Sequence, residues 1–222
     1  MSAKKKVAPR KTRTRQQRRS LRTRQKLLDA ARAVFAEKGL DMTRIDEITE
    51  RADLGKGTFY YHFETKEKLI RELIRTMLAE LAAALEESCR DIDELRPLLD
   101  AMIQAHVEFF SERWEDFVLF YQGRADLTLL EGYAGIEKPF LTYLESIEAL
   151  LSSVIAHNLP PAALRRIACA VAGFVSGYYS FAVIASDDDD IGAAFEPLRG
   201  AMVASLARFI STAAAAEANA GT

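Results

Sequence analysis

The sequence predicts an all-α protein of about nine or ten helices. Apolar residues recur at intervals of three and four along most of the chain, which is the period of one face of an α-helix. The six prolines and eleven glycines fall mostly between these periodic stretches, where they begin or end helices. No two-residue alternation runs long enough to form a sheet.

Length and composition narrow the class of protein further. The 222 residues are enough to bury a core without disulfides or a metal, and 49% are hydrophobic and 28% charged, an ordinary globular balance. No apolar stretch approaches the roughly 20 residues that span a bilayer, and no secretory signal follows the charged N-terminus. Cys89 and Cys169 match no metal-ligand spacing. We expect a reduced, cytoplasmic protein with no membrane contact, no metal and no cofactor.

Charge is distributed unevenly along the chain. Residues 1–26 contain twelve lysines and arginines and no acidic residue, whereas residues 71–222 contain eleven basic and twenty-three acidic residues. A basic N-terminal segment followed by an acidic remainder indicates that the N-terminal end binds a polyanion. The alternative is a solvated tail with no partner. Residues 1–20 are predicted to form a disordered basic arm.

The next segments are predicted as four helices and a tight turn. Helix 1 is expected from about Thr23 to Lys38, with Gly39 in the left-handed position beyond its end. Thr43 is predicted to cap helix 2, since its side-chain oxygen can accept from exposed backbone N–H groups. After a turn at residues 53–55, a short helix 3 covers about Lys56 to His62. Thr65 then caps a long helix 4, whose apolar stripe contains Leu69, Leu73, Met77 and Leu81.

The remaining helices are expected at about 94–112, 114–124, 137–156, 161–185 and 190–212. Residues 125–135 are ambiguous because Gly123, Gly132 and Gly135 interrupt the pattern. The alanine-rich residues 213–222 are expected to fray.

Helices 2 and 3 form a predicted helix-turn-helix, whose second helix can enter the major groove of DNA. Phe59 and Phe63 are four residues apart and share one face, so their packing inward turns the other side chains of helix 3 outward. Outward hydroxyls and an ammonium can bond phosphates, a tyrosine ring edge can pack on a thymine methyl, and Gly57 allows close approach. The alternative is a plain three-helix bundle with incidental surface tyrosines.

Residues 22–70 resemble the DNA-binding domain of the tetracycline-repressor (TetR) family of bacterial transcription regulators. The resemblance lies in the helix 1 pattern through Ala31 and Phe35 to Gly39, in Thr43, Ile48 and Ala52, in Lys56–Phe63, and in Thr65-Lys66-Glu67. The sequence departs from the family at position 53, where Asp53 stands in place of the usual glycine, and at position 55, where Gly55 stands in place of the common serine. The residues expected to contact DNA are Thr43, Arg44, Lys56, Gly57, Thr58, Tyr60, Tyr61, His62 and Lys66.

The same resemblance implies a DNA-binding domain over residues 21–81, with its motif at about 44–63, and a helical effector-binding and dimerisation domain over residues 82–222. The last two long helices would form the homodimer interface. Small residues there permit close approach of helices: Gly173, Gly177, Gly200, Ala201 and Ala204. Ordinary packing within one chain is the alternative.

Aromatic residues suggest an apolar effector pocket in the second domain. Phe109, Phe120 and Tyr179 belong to the same cluster as the predicted pocket residues, which are Phe110, Trp114, Phe117, Tyr121, Tyr143, Phe174 and Tyr178. Gln122 or Arg124 could orient a polar group of the ligand. Aromatics at helical spacing are, however, more often plain core.

No catalytic site is predicted. His106 and Glu108 are two residues apart and therefore on different faces of a helix, and residues 187–190, four aspartates, are more typical of a solvated helix start than of a cation site. Together with the predicted helix-turn-helix, the resemblance to the TetR family implies a dimeric regulator that binds double-stranded operator DNA, most simply a repressor released from a palindromic operator by a small, largely apolar ligand. The alternative is a DNA-binding protein of the same fold without a small-molecule effector, controlled by a protein partner or acting architecturally.

Overall fold

The computed structural model describes residues 14–126, 137–155, 159–185 and 191–220, and within these ranges all regular structure is helical. The helices are α1 (Arg15–Lys38), α2 (Ile45–Arg51), α3 (Lys56–Phe63), α4 (Lys66–Ser88), α5 (Leu95–Ser111), α6 (Trp114–Asp126), α7 (Glu137–Val154), α8 (Pro161–Ala185) and α9 (Ile191–Ala220). The predicted all-α class and the predicted number of helices are confirmed.

Helices α1–α3, which we call the head, pack around a small apolar core. Phe35 of α1, Ile48 of α2 and Phe59 of α3 are all completely buried. In α1 the apolar residues at helical spacing, Leu27, Ala31, Val34 and Phe35, are buried, and Gly39 ends the helix with a φ of +83°. Glycine suits this position because it has no Cβ to clash at positive φ.

Helix α4 runs from the head into the remaining helices, α5–α9, which we call the body. The predicted stripe of Leu69, Leu73, Met77 and Leu81 is buried along the helix. In the body, α4 packs against α5, α6 and α7, while α5 packs against α9, α7 against α8 and α8 against α9. Helix α6 also packs against α1, so the body touches the head through a second element besides α4.

Helix α1 begins earlier than predicted. Thr14 caps it, because its hydroxyl accepts from the Gln17 backbone N–H at 3.3 Å while the Gln17 side chain accepts from the Thr14 backbone N–H at 2.9 Å. Residues 15–20, expected in the disordered arm, are therefore helical; residues 1–13 of the arm lie outside the described residues. At the other end of the chain, α9 continues to Ala220 instead of ending near residue 212, in keeping with the high helix propensity of alanine.

Helix α6 ends at Asp126, slightly beyond the predicted end near residue 124, and Gly123 lies inside it without interrupting it. A Cβ at this position would lie only 2.5 Å from Cδ1 of Ile74, so glycine lets α6 approach α4 closely. Gly132 and Gly135 lie outside the described residues. No helix in the described ranges is long and apolar enough to cross a membrane.

Candidate functional site

The turn between α2 and α3 is built on an aspartate in the left-handed region. Asp53 has a φ of +55°, and the next backbone N–H, that of Leu54, donates to the carbonyl of Thr49 at 2.9 Å. Asp tolerates this conformation better than most residues. The expectation that the turn forms with Asp53 in place of glycine is confirmed.

Gly55 is the N-cap of α3 and contributes no side-chain cap. The first turn is closed by the backbone alone, since the Thr58 N–H donates to the Gly55 carbonyl at 2.8 Å. A Cβ at Gly55 would meet nothing within 4 Å. The space that the hydroxyl of a serine would occupy at this position is therefore open.

Helix α3 presents the predicted outward face. Phe59 and Phe63 are buried, whereas the side chains of Tyr60 and Tyr61 are 45% and 80% exposed. Lys56 and Gly57 are also exposed, and Thr58 and His62 are partly buried. An exposed tyrosine pair beside a lysine and a glycine matches the surface expected for contact with a DNA groove.

Asp46 of α2 holds two of the basic side chains at this surface. It pairs with Lys56 at 2.8 Å and with Arg44 at 3.6 Å. The hydrogen bond to Asp46 raises the pKa of Lys56, and the same bond lowers the pKa of Asp46. Both cations lie at the edge of α3, where phosphates could compete with the aspartate for them.

Thr43 is not the N-cap of α2; that position belongs to Arg44, whose backbone N–H donates to the Glu47 carboxylate at 2.8 Å. The Thr43 side chain is only 2% exposed, and its hydroxyl donates to the Gly39 carbonyl at 2.7 Å. The hydroxyl thus joins the end of α1 to the start of α2, which withdraws it from the surface where a phosphate contact was predicted.

Lys66, predicted to contact DNA, uses its ammonium inside the protein. Its Nζ donates to the carbonyls of Leu40, Asp41 and Thr43 at 2.9, 3.3 and 3.0 Å. These carbonyls form the link between α1 and α2, so Lys66 ties that link to the first turn of α4. The sequence pattern places Lys66 at the start of α4, but it does not reveal these three carbonyl partners.

The first turns of α1 carry four exposed arginines: Arg15, Arg18, Arg19 and Arg22. Further along the same helix, Arg24 pairs with Glu72 of α4 at 2.7 Å, and its guanidinium lies 4.6 Å from the ring centre of Phe63. Arg24 and burial together lower the pKa of His62, with burial the larger cause. The basic start of α1 therefore projects from the side of the head where α3 ends.

Two contacts between α6 and the head were missed by sequence reasoning. Asp116 of α6 pairs with Arg32 of α1 at 2.7 Å, and Gln122 of α6 accepts a 2.9 Å hydrogen bond from the Leu40 backbone N–H. Gln122 thus binds the head, not a ligand as suggested from its position in the sequence. The partners are far apart in the sequence, so no local pattern could reveal them. The side chain of Arg124 lies outside the described residues.

Two cavities flank α7. One, between α4 and α7, has a volume of about 550 Å³, and the other, between α7 and α8, about 380 Å³. Both volumes are in the range of small-molecule sites. Tyr143 lines both cavities.

The predicted aromatic pocket is mostly packed core. The ring of Phe110 has its centre 5.4–5.9 Å from those of Phe117, Phe120 and Tyr179, so these rings fill the space among themselves. Of the seven predicted pocket residues, Phe110 and Phe117 are buried in this cluster. Three are roughly half exposed, namely Trp114, Tyr121 and Phe174, and Tyr178 is partly buried. Tyr143 is the one predicted pocket residue among those lining the two cavities.

Tyr143 is held from behind by a fully buried histidine. Nδ1 of His106 lies 2.6 Å from the Met102 carbonyl, which can only accept, so Nδ1 carries the proton. Nε2 then accepts from the Tyr143 hydroxyl. Burial lowers the pKa of His106 to about 4, which keeps the imidazole neutral and preserves this arrangement.

The predicted dimer residues lie on outer surfaces of α8 and α9. Gly173, Gly200 and Ala201 are exposed, and Gly177 and Ala204 are partly buried. A Cβ at any of the three glycines would meet nothing within 4 Å. Gly173, Gly200 and Ala201 leave surface available to a second copy, although Gly173 also lines the cavity between α7 and α8. Gly177 and Ala204 are partly covered by their own chain.

Neither cysteine chemistry nor a metal site stands out among the described residues. Cys89 is buried, and burial raises the pKa of its thiol to about 11, so it stays protonated and unreactive. Cys169 is exposed in the cavity between α7 and α8. No group of three or more potential metal ligands occurs within the described ranges, and residues 187–190 lie outside them.

Comparison with known sequences matches residues 27–73 to the family described as bacterial regulatory proteins, tetR family. Among similar proteins, YvdT, an uncharacterized HTH-type transcriptional regulator of Bacillus subtilis, is 32% identical over 124 residues, 55% of this chain and 63% of that protein. The transcriptional repressor KstR2 of Rhodococcus jostii is 33% identical over 85 residues, 38% of this chain and 42% of that protein. The chain therefore matches less than two thirds of the length of either relative.

The fold is also found in solved structures. The transcriptional regulator FadR of Bacillus subtilis, solved in complex with stearoyl-CoA, aligns with a TM-score of 0.68 at 18% identity, covering 82% of this chain and 96% of that one. A regulator from Streptomyces coelicolor, described as tetR-family, aligns with the same score at 17% identity over 90% of this chain and 86% of that one. At these identities the likeness establishes the fold.

Proposed function

Because this chain belongs to the TetR family of bacterial regulatory proteins, we propose that it is a cytoplasmic transcriptional repressor that binds operator DNA as a homodimer and leaves it when a small molecule occupies the body. In this proposal the chain has no catalytic role. The matched region, residues 27–73, covers most of the head and the start of α4, and it includes the outward face of α3.

The observation that carries the proposal is the exposed face of α3. Tyr61 is 80% exposed although its neighbours Phe59 and Phe63 are buried. The helix therefore presents large aromatic side chains on a surface that no other part of the described chain covers. We assign Tyr60, Tyr61, Thr58 and His62 to groove contacts, with Gly57 allowing close approach. Lys56 and Arg44 at the edge of α3 would contact phosphates.

The structure changes the roles we propose for two residues. Thr43 and Lys66 act behind the interface, since the hydroxyl of one and the ammonium of the other bond backbone carbonyls at the link between α1 and α2. We propose that both position this link against α4, and that the exposed arginines of α1 supply phosphate contacts in their place.

The outer faces of α8 and α9 support a homodimer. Besides the small residues predicted there, four large apolar side chains are exposed on these helices: Phe174, Phe181, Leu198 and Phe209. If they lie on one face, large exposed apolar side chains such as these are typical of an interaction surface, and we propose that a second copy covers them. Two-fold symmetry of the dimer would require two-fold symmetry of the operator.

The cavities beside α7 are the proposed effector site. A protein of the same fold, FadR, has been solved with stearoyl-CoA, which supports a small-molecule effector in this fold. The filled aromatic cluster favours the alternative, a regulator with no small-molecule effector, because it leaves no space where the sequence suggested a pocket. Binding of a small molecule beside α7 separates the two functions.

Selection from a pool of random DNA duplexes tests the proposal. The purified protein should enrich an inverted repeat whose half-sites are about one helical turn or more apart. A Tyr61→Ala variant, changed only on the outward face, should enrich it weakly. Selection that yields no shared sequence would contradict the proposal.

A further inference from the structure

We propose, resting on the DNA-binding function above, that Asp46 limits the affinity of this protein for DNA by competing with the phosphates that Lys56 and Arg44 would contact. In the protein without DNA, the carboxylate of Asp46 takes the place of a phosphate beside these two cations. Binding of DNA then exchanges one anion for another at the edge of α3.

Asp46 lies between the starts of the two helices of the helix-turn-helix. It is the second residue of α2, Lys56 is the first residue of α3, and Arg44 is the N-cap of α2. Oδ1 of Asp46 lies 2.8 Å from Nζ of Lys56, and Oδ2 lies 3.6 Å from Nη2 of Arg44. Each carboxylate oxygen thus engages one cation, and one aspartate holds both cations that we assign to phosphates here.

The three side chains are open to solvent at this edge. Those of Asp46, Lys56 and Arg44 are 40%, 53% and 77% exposed. Beside Lys56, a Cβ at Gly55 would meet nothing within 4 Å, so the described chain leaves the start of α3 uncovered. A phosphate that approaches from solvent therefore meets the two cations and the aspartate at the same surface.

The carboxylate of Asp46 is chemically suited to compete with a phosphate. The hydrogen bond from Lys56 is the main cause that lowers the pKa of Asp46, and Arg44 lowers this pKa further, so the side chain is charged at neutral pH. Carboxylate and phosphate oxygens accept the same charge-assisted hydrogen bonds from ammonium and guanidinium groups. A phosphate either displaces the carboxylate or lies beside it, where two negative charges repel each other.

The exposure of Asp46 favours competition over a role in positioning the cations. A carboxylate that only positioned them would lie behind them, as the carbonyls bonded to Lys66 lie at the link between α1 and α2. Asp46 shares the exposed surface with Lys56 and Arg44 instead. Its charge therefore acts on an approaching phosphate as well as on the cations.

The head contains a matched ion pair that serves as a control. Glu37 of α1 accepts hydrogen bonds from Arg51 of α2 with both carboxylate oxygens, at 2.8 and 2.7 Å, and the two side chains are 49% and 45% exposed. The charge and the exposure are similar to those of Asp46 and Lys56, but neither Glu37 nor Arg51 is among the residues that we assign to DNA. Removing the charge of Glu37 therefore measures the effect of net charge alone.

A limited affinity suits a repressor that has to leave its operator. Effectors typically shift the affinity of a coupled site by about 5–150-fold, so a complex that is too tight would persist in the presence of the effector. In a homodimer both heads carry Asp46, so its effect on one head acts twice on one operator.

Fluorescence anisotropy with the selected inverted repeat, at several salt concentrations, tests the role of Asp46. Asp46→Asn removes the charge and keeps the size of the side chain. It should tighten binding roughly tenfold per dimer, or about threefold for each head, the scale of an exposed ion pair. The slope of log K against log salt should stay unchanged, because the same phosphates are contacted.

Two control variants accompany this change. Asp46→Glu keeps the charge and should bind like the wild-type protein. Glu37→Gln should change the affinity by less than about twofold, because a charge away from the contacting cations is screened by salt. Thermal unfolding of each variant checks that folded proteins are compared.

A combined variant tests whether Asp46 acts through its two cations. In a protein that already carries Lys56→Met and Arg44→Gln, the further change Asp46→Asn should tighten binding by about twofold or less, because the cations for which it competes are gone. An undiminished tenfold gain in this background would overturn the proposal, since Asp46 would then act on DNA without them.

Three further outcomes would overturn the proposal. Weaker binding by Asp46→Asn with a smaller salt slope would show that the aspartate positions the cations. Unchanged binding, or an equal gain in Glu37→Gln, would show that Asp46 does not compete. The same series on a scrambled duplex should give the same gain, because phosphate contacts do not depend on sequence. A wild-type protein that binds neither duplex contradicts the DNA-binding function itself, which distinguishes that failure from failure of the role of Asp46.

Discussion

The carboxylate of Asp116 in α6 lies 2.7 Å from Nε of Arg32 in α1, and only 2% of the aspartate side chain is exposed. The N–H does not point at the oxygen, so the contact is an ion pair without hydrogen-bond alignment. Burial raises the pKa of Asp116 even though Arg32 and Arg113 oppose the shift. Because burial of the charges costs free energy, a pair of this kind need not stabilise the fold. We interpret it instead as a specific link between the body and the head.

We expect this pair to be coupled energetically. In a double-mutant cycle with Asp116→Asn and Arg32→Gln, the coupling free energy should be about 1–3 kcal/mol, because removing either partner leaves the other with only a more distant counter-charge, Arg113 at 3.7 Å for Asp116 and Asp29 at 3.8 Å for Arg32. Urea unfolding measures it. The exposed pair of Arg90 and Glu87 is the control, with an expected coupling of about 0–1 kcal/mol. A coupling at Arg32 and Asp116 no larger than in the control would refute the link.

Lys66→Met should lower the free energy of unfolding by about 1–3 kcal/mol, since three backbone carbonyls lose their donor. The salt dependence of DNA binding should stay unchanged, because the ammonium is engaged by these carbonyls and we expect it to make no phosphate contact. Lys56→Met is the comparison and should reduce the slope of log K against log salt by about 0.9, the value for one phosphate contact. A similar reduction in Lys66→Met would show that this lysine does contact DNA.

The basic start of α1 and the face of α3 should affect DNA binding differently. Replacing Arg19 and Arg22 by glutamine should weaken binding to every duplex and flatten its salt dependence, because fewer counterions are released. Tyr61→Ala should instead reduce discrimination between operator and other DNA. Fluorescence anisotropy at several salt concentrations measures both effects; the same salt slope and the same selectivity in the two variants would contradict the division.

Gly123→Ala should destabilise the protein by about 1–3 kcal/mol, because the new methyl group would lie 2.5 Å from Cδ1 of the buried Ile74. Ile74→Val removes that Cδ1 atom and should restore part of the lost stability when the two changes are combined. Thermal or urea unfolding of the single and double variants gives the comparison. Strictly additive losses would mean that the two residues do not meet.

The free energy of unfolding should decrease as the pH is lowered from about 6.5 to about 4, because of His106. Its pKa in the folded protein, about 4, lies below the ordinary value of 6.5, so the unfolded chain takes up a proton that the folded chain excludes. The loss begins as the pH falls below about 6.5 and reaches about 3 kcal/mol near pH 4. His106→Gln should show a shallower decline over the same window. Parallel declines in the two proteins would assign the pH dependence to other groups.

The face of α3 could be predicted because the relevant information is local. Phe59 and Phe63 share a face by their spacing alone, and the structure buries both while exposing Tyr61. The turn at Asp53 was predictable for the same reason. Helix α4 was equally clear, since one apolar stripe continues through four turns.

The uses of Thr43 and Lys66 could not be predicted, because the same hydroxyl or ammonium can face a phosphate or a carbonyl of its own chain. Only the packing of the link between α1 and α2 against α4 decides between them. The start of α1 was missed for a different reason: residues 15–20 are polar and basic, and the reciprocal cap between Thr14 and Gln17 was not recognised.

The effector pocket was the least predictable feature. Phe110 and Phe117 have the composition of a pocket wall, but rings that pack edge to face fill their own space. The cavities lie instead beside α7, where Pro139 and Tyr143 meet side chains of α4. Each cavity is lined by side chains of different helices, which no single segment reveals.

Sequence-specific DNA binding by a dimer can be measured as the difference in affinity of the purified protein for a selected inverted repeat and for a scrambled duplex of equal length and composition. Both are measured in one buffer at physiological salt, with stoichiometry from sedimentation. We expect the repeat to bind roughly 1,000-fold tighter or more, with two chains or a multiple of two per duplex. Equal affinity for the two duplexes, or one chain on a single half-site, would contradict it.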